Sequence, residues 1–582
     1  MFHTPTYDAK IKPILDALQP GERVCALSGE AWRMDEMEIG WYRKFNVPPS
    51  RYSPLARMKL LYTYFIVFDV WYNRHADTGK PMVSNIHPAT GIRVLSDEEW
   101  YTRDFSEMGA ELDLDRPFFD QLYALSRRVP RAAGYNFVPP ERSLAFLSFG
   151  DRDSYFVLAS QTERCFSCTN AYEATDCAEV AMIHTGNLSC NVLHSNRIFR
   201  SAFVRESYDC IDCRFVFDCR NCEFCFGATN KRNKKYLWFN EQLSKEEWEK
   251  RISQVDLSSW KMREEYERKF HELVTNAVWP ENFNVKEERS TGEYLNGCVD
   301  CSNCYYLFTP GSSNLDHVMY GLGDAPARDS YMSVGIGSAS DCYYGIGMNN
   351  SARVKFALSL NANCLDCEYS ESCFNCEHCF GCVGLRHKKF HILNRPYSEE
   401  DYWKTIDALK CAMLERGEYG ELPPARFSTQ VCKGSGAGVI YNITDAECRR
   451  LGAAEFDAFS EGAEGPSVDS ASIRKLEDLP DRIDGPAIAE WAGKPLIDAK
   501  MGRRFAYLKP ELELYAKLGI APPRSHPTSR LISLYREMNT PVLEDASCAS
   551  CGTSMQVSKN LAYPERKMYC KSCYLEYLER NG

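Results

Sequence analysis

Two stretches of this chain are one cysteine-dense block written twice. An offset of 154 residues lays C-I-D-C-R-F-V-F-D-C-R-N-C-E-F-C-F-G, starting at Cys210, over C-L-D-C-E-Y-S-E-S-C-F-N-C-E-H-C-F-G, starting at Cys364, with no gap. The match runs on past the cysteines: Lys234-Lys235-Tyr236 falls on Lys388-Lys389-Phe390, Asn240 on Asn394, Ser244 on Ser398 and Trp248 on Tyr402. A duplicated unit that ends in the same strand, turn and helix start is implied. Ser244 and Ser398 are placed as helix N-caps, with Glu247 and Asp401 at the third helical position able to reach back in a capping box. The flanking segments are short β-prone runs broken by Asn, Ser, Gly and Asp at intervals of about ten residues. Repetition of that kind predicts strands wound into a parallel solenoid, each coil burying its face on the next.

The cysteines themselves ask for an explanation, because there are 27 of them. The start of the chain has neither a basic region nor an apolar one of the secretory kind, and no apolar stretch is long enough to span a bilayer. A cytoplasmic location is therefore expected, with the thiols serving as metal ligands or small buried groups instead of a disulfide framework. In the duplicated ladder (Cys210, Cys213, Cys219, Cys222, Cys225 and Cys364, Cys367, Cys373, Cys376, Cys379, Cys382) the C-x2-C-x2-C runs match part of a four-iron cluster motif. Its fourth ligand and following proline are missing, and Cys382 stands opposite Ala228, so equivalent clusters in both copies are not expected. Inward-facing packing is the preferred reading, with metal binding or redox chemistry as the alternatives. His378, His387 and His391 lie beside the second ladder. Their counterparts are Phe224, Asn233 and Leu237, so packed or exposed histidines are expected before a mixed metal site.

A third cysteine pattern is more specific. Cys548, Cys551, Cys570 and Cys573 form C-x2-C-x18-C-x2-C, with Gly552 directly after the first pair. Each pair suits a tight turn that aims two thiolates at one tetrahedral ion, and four protein ligands leave no position for water. One structural zinc is expected. The surrounding module also has a copy near the N-terminus: an offset of 473 aligns Tyr42 with Tyr515, Lys44 with Lys517, Pro49 with Pro522, Pro54 with Pro527, Arg57 with Arg530 and Tyr62 with Tyr535. This reads as a helix, a proline-rich elbow and a second helix that starts near the later proline, where a missing N–H costs nothing. The same offset sets His75 and Thr78 where Cys548 and Cys551 stand, and Gly79 on Gly552, but the second pair has no cysteine counterpart around Val94 to Asp97. A metal-free ribbon is expected there, with Cys25 the remnant of a further C-x2-C.

With these motifs in place the chain resembles uncharacterised cysteine-rich, zinc-ribbon repeat proteins of reduced bacterial genomes. The resemblance rests on the C-x2-C-F-G stretches from Cys222 and Cys376 with the Lys-Lys-Tyr/Phe, Asn and Ser that follow, on S-x-E-E-W from Ser96 to Trp100 with Asp115 to Phe119, on the proline elbow with Arg524, and on the closing ribbon. It implies the order ribbon, cysteine-rich repeats, ribbon. No activity is established in that family, so it supplies no catalytic residue.

The enzymatic signatures searched for are weak. Gly434 to Gly438 is glycine-rich but leads into the strand-like VIYNI, and no P-loop, nucleophile elbow or H-E-x-x-H motif occurs. The net charge of −11 speaks against a general nucleic-acid coat. A local basic run remains, comprising Lys231, Arg232, Lys234 and Lys235 with Arg386, Lys388 and Lys389 in the second copy, and it could hold single-stranded nucleic acid with the aromatic residues that follow. A charged helix is read across 245–274, and a Gly/Ala/acidic linker across about 434–484.

The expected architecture is therefore α+β and multidomain. An N-terminal helix-elbow module with a degenerate ribbon spans 1–130, the first β-repeat block 131–243, a charged helical spacer 244–290, the second block 291–397, a helix and linker 398–484, and the C-terminal helix-elbow module with its zinc ribbon 485–582. The expected function is a non-enzymatic zinc-binding scaffold that binds another macromolecule and does not enter a membrane. The alternatives are a nucleic-acid-associated zinc-ribbon protein and a thiol-based metal-handling or redox protein.

Overall fold

The computed structural model describes residues 3–65, 69–321, 323–455, 465 and 469–582. It is an α+β protein with several separate sheets. The chain divides into two compact units, each assembled from distant segments. One comprises residues 1–133 with 283–463, and the other comprises 134–282 with 464–582. The N-terminal module thus shares a unit with the second cysteine block, and the C-terminal module with the first.

In the second unit the strands of the first block pair in parallel with the segment twelve residues further on, so that Cys210 lies opposite Cys222 and Asn196 opposite Tyr208. The periodicity expected from the sequence was nearer ten. The backbone explains the difference, because every third residue from Arg164 to Phe239 has a positive φ, all but Gly227 of them non-glycine. Each left-handed residue turns the chain, and from Arg164 to Gly227 the residue after it points inward. Cys165, Cys168, Cys177, Cys210, Cys213, Cys219, Cys222 and Cys225 all occupy inward positions, packed with Ala171, Val204, Val216 and Ala228 in one buried cluster. The left-handed residues themselves stack on the outside at the same spacing: Arg164 on Asp176, Arg197 on Asp209, Arg200 on Asp212, and Phe203 on Phe215 with ring centroids 4.4 Å apart. A left-handed turn costs a non-glycine residue roughly 1–2 kcal/mol. The repeat is held against that cost by a backbone ladder and by rungs that each bury a small side chain.

The other unit repeats this pattern with insertions. Ser313 pairs with Arg328, Ser340 with Ala352, Ala352 with Leu365, and Glu377 with Lys389. Cys298, Cys301, Cys304, Cys342, Cys364, Cys367, Cys373, Cys376, Cys379 and Cys382 line its interior.

Both elbow modules form as the proline pattern predicts. Glu36–Phe45 and Pro54–Tyr62 form one pair of helices, and Lys509–Leu518 and Pro527–Arg536 form the other. A buried ion pair locks each elbow. Arg57 lies 2.5 Å from Glu38, and at the matching positions Arg530 lies 2.5 Å from Glu511, with no side chain of the four more than 6% exposed. The arginines were visible in the sequence alignment, but their glutamate partners were not singled out.

Two expectations fail locally. The helix read across 245–274 is two helices, Lys245–Ile252 and Trp260–Asn276, because Ser259 caps the second by accepting from the Met262 N–H. The strand-like reading of VIYNI is also wrong, since Gly436–Ile440 is a buried helical turn. A Cβ on Gly438 would sit 1.9 Å from the Lys433 carbonyl oxygen, so the tight turn depends on that glycine. Thr444 then caps Asp445–Arg450 in a full capping box with Glu447. The first part of the stretch read as a linker is therefore packed structure, and residues 456–464 and 466–468 of it lie outside the described residues. Ser244 and Ser398 cap their helices as expected, accepting from the N–H groups of Glu247 and Asp401, but the acids do not complete the expected capping boxes. No helix among the described residues is long and apolar enough to cross a membrane.

The inward positions accept a small hydroxyl as readily as a thiol. Ser189, Ser195, Ser201 and Ser207 sit on the same triplet phase and donate to the carbonyl two residues before them, as Cys219 does to Phe217. Cys219→Ser should therefore change stability by less than about 1 kcal/mol. Cys219→Leu, which overfills the rung, should cost about 1–3 kcal/mol. Urea unfolding of the two variants measures the difference, and equal losses would contradict the assignment of this position to the interior.

Candidate metal centre

The ribbon at the C-terminus is built from the antiparallel pair Asn539–Ser547 and Ser554–Asn560, and from the strand Lys567–Tyr569, which pairs in parallel with Val278–Pro280. Cys548 ends the first strand. Its carbonyl accepts from the Gly552 N–H at 2.8 Å, and its own N–H donates to Thr553 at 2.9 Å, which folds Cys548 to Cys551 into a knuckle. Gly552 takes φ 76°, the left-handed value such a turn needs. Cys570 is the N-cap of the helix Lys571–Asn581, so Cys573 stands one turn into that helix. The Ala549 N–H donates to the Met568 carbonyl at 2.9 Å and ties the two halves together.

As a result the four sulfur atoms of Cys548, Cys551, Cys570 and Cys573 all lie within 4.8 Å of one another. No other group of three or more Cys, His, Asp or Glu meets that condition among the described residues. The donor set is chemically apt for a cation. Burial pushes the Cys548 thiol up, but the backbone N–H groups of Cys570, Cys551 and Ser550 outweigh it and bring it to about 6. The Thr553 hydroxyl lowers Cys551. The Ser550 hydroxyl also favours the Cys573 thiolate, yet its neighbours Cys570 and Cys551 prevail and push it up to about 12. Four thiols this close do not ionise together unless a positive charge sits among them. The cluster is compatible with a metal ion such as zinc.

The ribbon is anchored to the repeat of its own unit through a buried carboxylate. Tyr574, on the helix that carries Cys573, donates to Asp218. Arg232 reaches Asp218 at 3.0 Å and Tyr574 at 3.1 Å, and Asn230 donates to Asp218 at 2.8 Å while bonding both backbone groups of Val278. The fully buried Asp218 thus joins the last rungs, the third ribbon strand and the helix that carries Cys573.

The same knuckle recurs three more times. Cys25, His75 and Asp498 each accept from the N–H of a glycine four residues on, at 2.8, 2.9 and 2.8 Å. Those glycines, Gly29, Gly79 and Gly502, have φ of 75°, 68° and 71°. In each case a helix N-cap (Ser53, Ser96 or His526) stands where Cys570 stands. Direct contacts hold these three turns. His75 Nε2 meets Glu99 Oε2 at 2.5 Å, and the Ser96 hydroxyl donates to the same oxygen at 2.8 Å. Asp498 Oδ2 accepts from the His526 N–H at 2.9 Å and from the Ser529 hydroxyl at 3.1 Å. Cys25 Sγ accepts from the N–H groups of Ser28 and Ser53 at 3.5 and 3.3 Å. The knuckle at His75 and the remnant at Cys25 were anticipated from the sequence and the one at Asp498 was not, though a glycine four residues after each knuckle start marks all of them.

The remaining candidates lie elsewhere. Every ladder cysteine named above is buried, and its thiol donates to carbonyls two residues before and nine after: Cys213 to Ile211 and Cys222, and Cys376 to Phe374 and Leu385, all at 3.4 Å. Burial pushes the Cys213 and Cys219 thiols well above their usual range. His378 stacks on Phe390, and His391 donates to the Lys389 carbonyl. In the basic run Lys231 holds the Asn581 carbonyl at 2.6 Å, Arg232 holds Asp218, and Lys235 pairs with Glu223. In the second copy Arg386 lies 4.8 Å over Trp100, Lys388 pairs with Asp104 and Lys389 with Glu377. Lys234 has no ion pair among the described residues.

No family model matches the chain, and no curated protein matches it. Among solved structures, a putative acetyltransferase from Desulfovibrio desulfuricans G20 aligns over 42% of this chain and 63% of its own, with 8% identity and a TM-score of 0.11. The aligned region is thus under two thirds of that structure, and so low a score bears on neither fold nor activity.

Two measurements test the centre. Purified without chelators, the protein should carry one zinc per chain, and Cys551→Ser with Cys570→Ser should remove it and lower the melting temperature. Grafting His75→Cys, Thr78→Cys, Ser96→Cys and Glu99→Cys together should raise the zinc content to two, because the backbone of that knuckle is already in place. A graft that folds and stays at one zinc would contradict the equivalence.

Proposed function

We propose that the protein is a non-enzymatic, cytoplasmic scaffold in which a zinc ribbon closes a duplicated parallel β-solenoid, and that it acts by binding another macromolecule. The observation that carries this reading is the closed donor set. Four thiols occupy every position around a tetrahedral ion, so the centre offers no site for water or substrate, and its role is to hold the ribbon helix on Asp218. Successive twelve-residue rungs are the register of a solenoid, and repeat scaffolds of that kind present long surfaces to partners. The inward, carbonyl-bonded ladder thiols weigh against thiol redox chemistry, which needs accessible thiolates. The basic run weighs little for nucleic acid, because most of its charges are engaged within the chain. All 27 cysteines are free, which suits a reducing compartment.

Crosslinking in intact cells followed by mass spectrometry tests the proposal. A recurrent protein partner is expected whose yield falls when Cys551 and Cys570 are both serine. Titration with single-stranded RNA is expected to show no saturable binding. Tight RNA binding that weakens steeply between 50 and 300 mM salt, roughly as counterion release dictates, would move the function to nucleic acid.

A further inference from the structure

The duplication carries a cavity as well as a ladder. In the second unit a cavity of about 320 Å³ is lined by Asp212, Arg214, Phe226, Trp248, Ile252 and Leu518. In the other unit a cavity of about 290 Å³ is lined by Asp366, Glu368, Phe380, Tyr402, Ile406 and Phe45. The first five positions of each set correspond by the 154-residue offset, and the last by the 473-residue offset. Two halves that have diverged in sequence have therefore kept the same opening, between the repeat, the helix after it and the end of the first elbow helix. Clefts of this size stand at the lower end of the range of small-molecule sites.

The two cavities differ in charge. Asp212 and Asp366 are each held in a two-pronged pair by an arginine, Arg200 at 2.6 and 2.9 Å and Arg353 at 2.7 and 2.8 Å, so neither carboxylate is free for a ligand. In the first-described cavity Arg214 then stands as a half-buried cation with no carboxylate of its own among the described residues; its Nη1 donates only to the carbonyls of Arg200 and Cys213. Burial pulls its guanidinium down from the usual value, outweighing the opposing influence of Cys213, Asp212 and Cys190. Beside it the Trp248 indole N–H is buried without an acceptor, and the Trp248 ring packs edge-on against Phe224, 5.8 Å between centroids. In the other cavity the position of Arg214 is taken by Glu368, which accepts from Lys410 at 2.7 Å and from Tyr419 at 2.7 Å and pairs with Lys355 at 3.4 Å. Burial opposes the Glu368 carboxylate, but Lys355 and Lys410 outweigh it and hold it down to about 2. That cavity supplies its own anion.

We infer that the cavity around Arg214 and Trp248 binds a small aromatic carboxylate, with the acid on the free donors of Arg214, the indole N–H as a further donor, and the ring among Phe224, Phe226, Trp248 and Leu518. The apolar lining supplies the burial, and the arginine supplies selectivity for an anion over its neutral isostere. The corresponding cavity with Glu368 does not bind it, because the anion position is filled.

The probe is 2-naphthoate, titrated calorimetrically into the full zinc-loaded chain, with 2-naphthamide as its neutral isostere. One saturable site is expected, with a Kd on the order of 10–100 µM, and the amide should bind at least about tenfold more weakly. Arg214→Gln should weaken the acid about tenfold or more, and Trp403→Phe, in the other cavity, should leave it unchanged. Equal affinity for acid and amide in the unmodified protein overturns the inference without reference to any variant. So does an unaltered Kd in a folded Arg214→Gln protein, or the absence of saturable heat up to about 5 mM.

Discussion

A backbone that turns left-handed at every third residue is the constraint from which the rest of this molecule follows. Once the turn falls at Arg164, Ser167, Asn170 and so on, one residue in three as far as Ala228 points into a narrow interior, filled mainly by Cys, Ala, Ser and Val with Ile183 and Ile198 as its larger members. Cysteine suits the place because its thiol is small and weakly polar and can lie across the carbonyls of its own rung and the next. The outward residues inherit the same spacing, so unlike charges and flat rings meet their partners one rung away. The abundance of cysteine is thus explained mainly by packing, and among the described residues the thiol cluster with metal-binding spacing lies in the ribbon, where thiols converge from two separate turns.

The ribbons show how the same scaffold holds with and without thiol ligands. Four knuckles share a glycine at positive φ and a helix N-cap facing it, yet a set of four thiols survives in one. Elsewhere the turn is held by side chains that meet directly: His75 with Glu99, Asp498 with Ser529 and the backbone of His526, Cys25 with backbone N–H groups. A hydrogen-bonded pair can stand in for an ion at a tight turn because the turn itself is already satisfied by its backbone bonds. What the thiol set adds in the last knuckle is a fixed direction for the helix bearing Tyr574, and so for the Asp218 cluster that ties this ribbon to its rungs. The matching residue in the other unit is Trp100, which meets Arg386 through its ring and needs no buried carboxylate at that point.

Much of this was legible in the sequence, and the gaps have physical reasons. The 154-residue and 473-residue offsets exposed the duplication, because chain reversals and elbows depend on prolines, glycines and caps that tolerate few substitutes. The tetrahedral cysteine set was legible for the same reason. The rung length was not. Periodicity was judged from β-prone runs, whereas the signal lay in cysteines at 210, 213, 219, 222 and 225, all one triplet phase that does not follow the usual alternation of a strand. Glu38 and Glu511 escaped notice because a buried acid looks like any surface acid until its arginine is known to lie beside it. The helical turn Gly436–Ile440 was missed because the crowding of Gly436 by Tyr62 and Phe65, which requires glycine there, is a tertiary fact.

Duplication also leaves each half free to spend its copy differently. The ladder drifts within limits, since its inward positions hold Cys, Ala, Ser and Val with an Ile or Leu at a few rungs. Positions just outside it can drift, and the pair Arg214 and Glu368 shows the consequence. The exchange of Arg214 for Glu368, together with Lys355 and Lys410 where the first copy has Ser201 and Asp256, leaves one cavity with a glutamate paired to lysines and the other with a guanidinium bonded to carbonyls alone, while the aromatic and aliphatic walls stay matched. If both openings were only gaps between a repeat and its covering helix, drift would be expected to fill one of them with larger side chains, as buried voids forfeit contact energy. Instead the walls keep similar bulk at Phe226 and Phe380, Trp248 and Tyr402, and Ile252 and Ile406, and the volume is preserved while the charge is not. Conservation of space with divergence of charge is the pattern of a site whose occupant has changed in one copy.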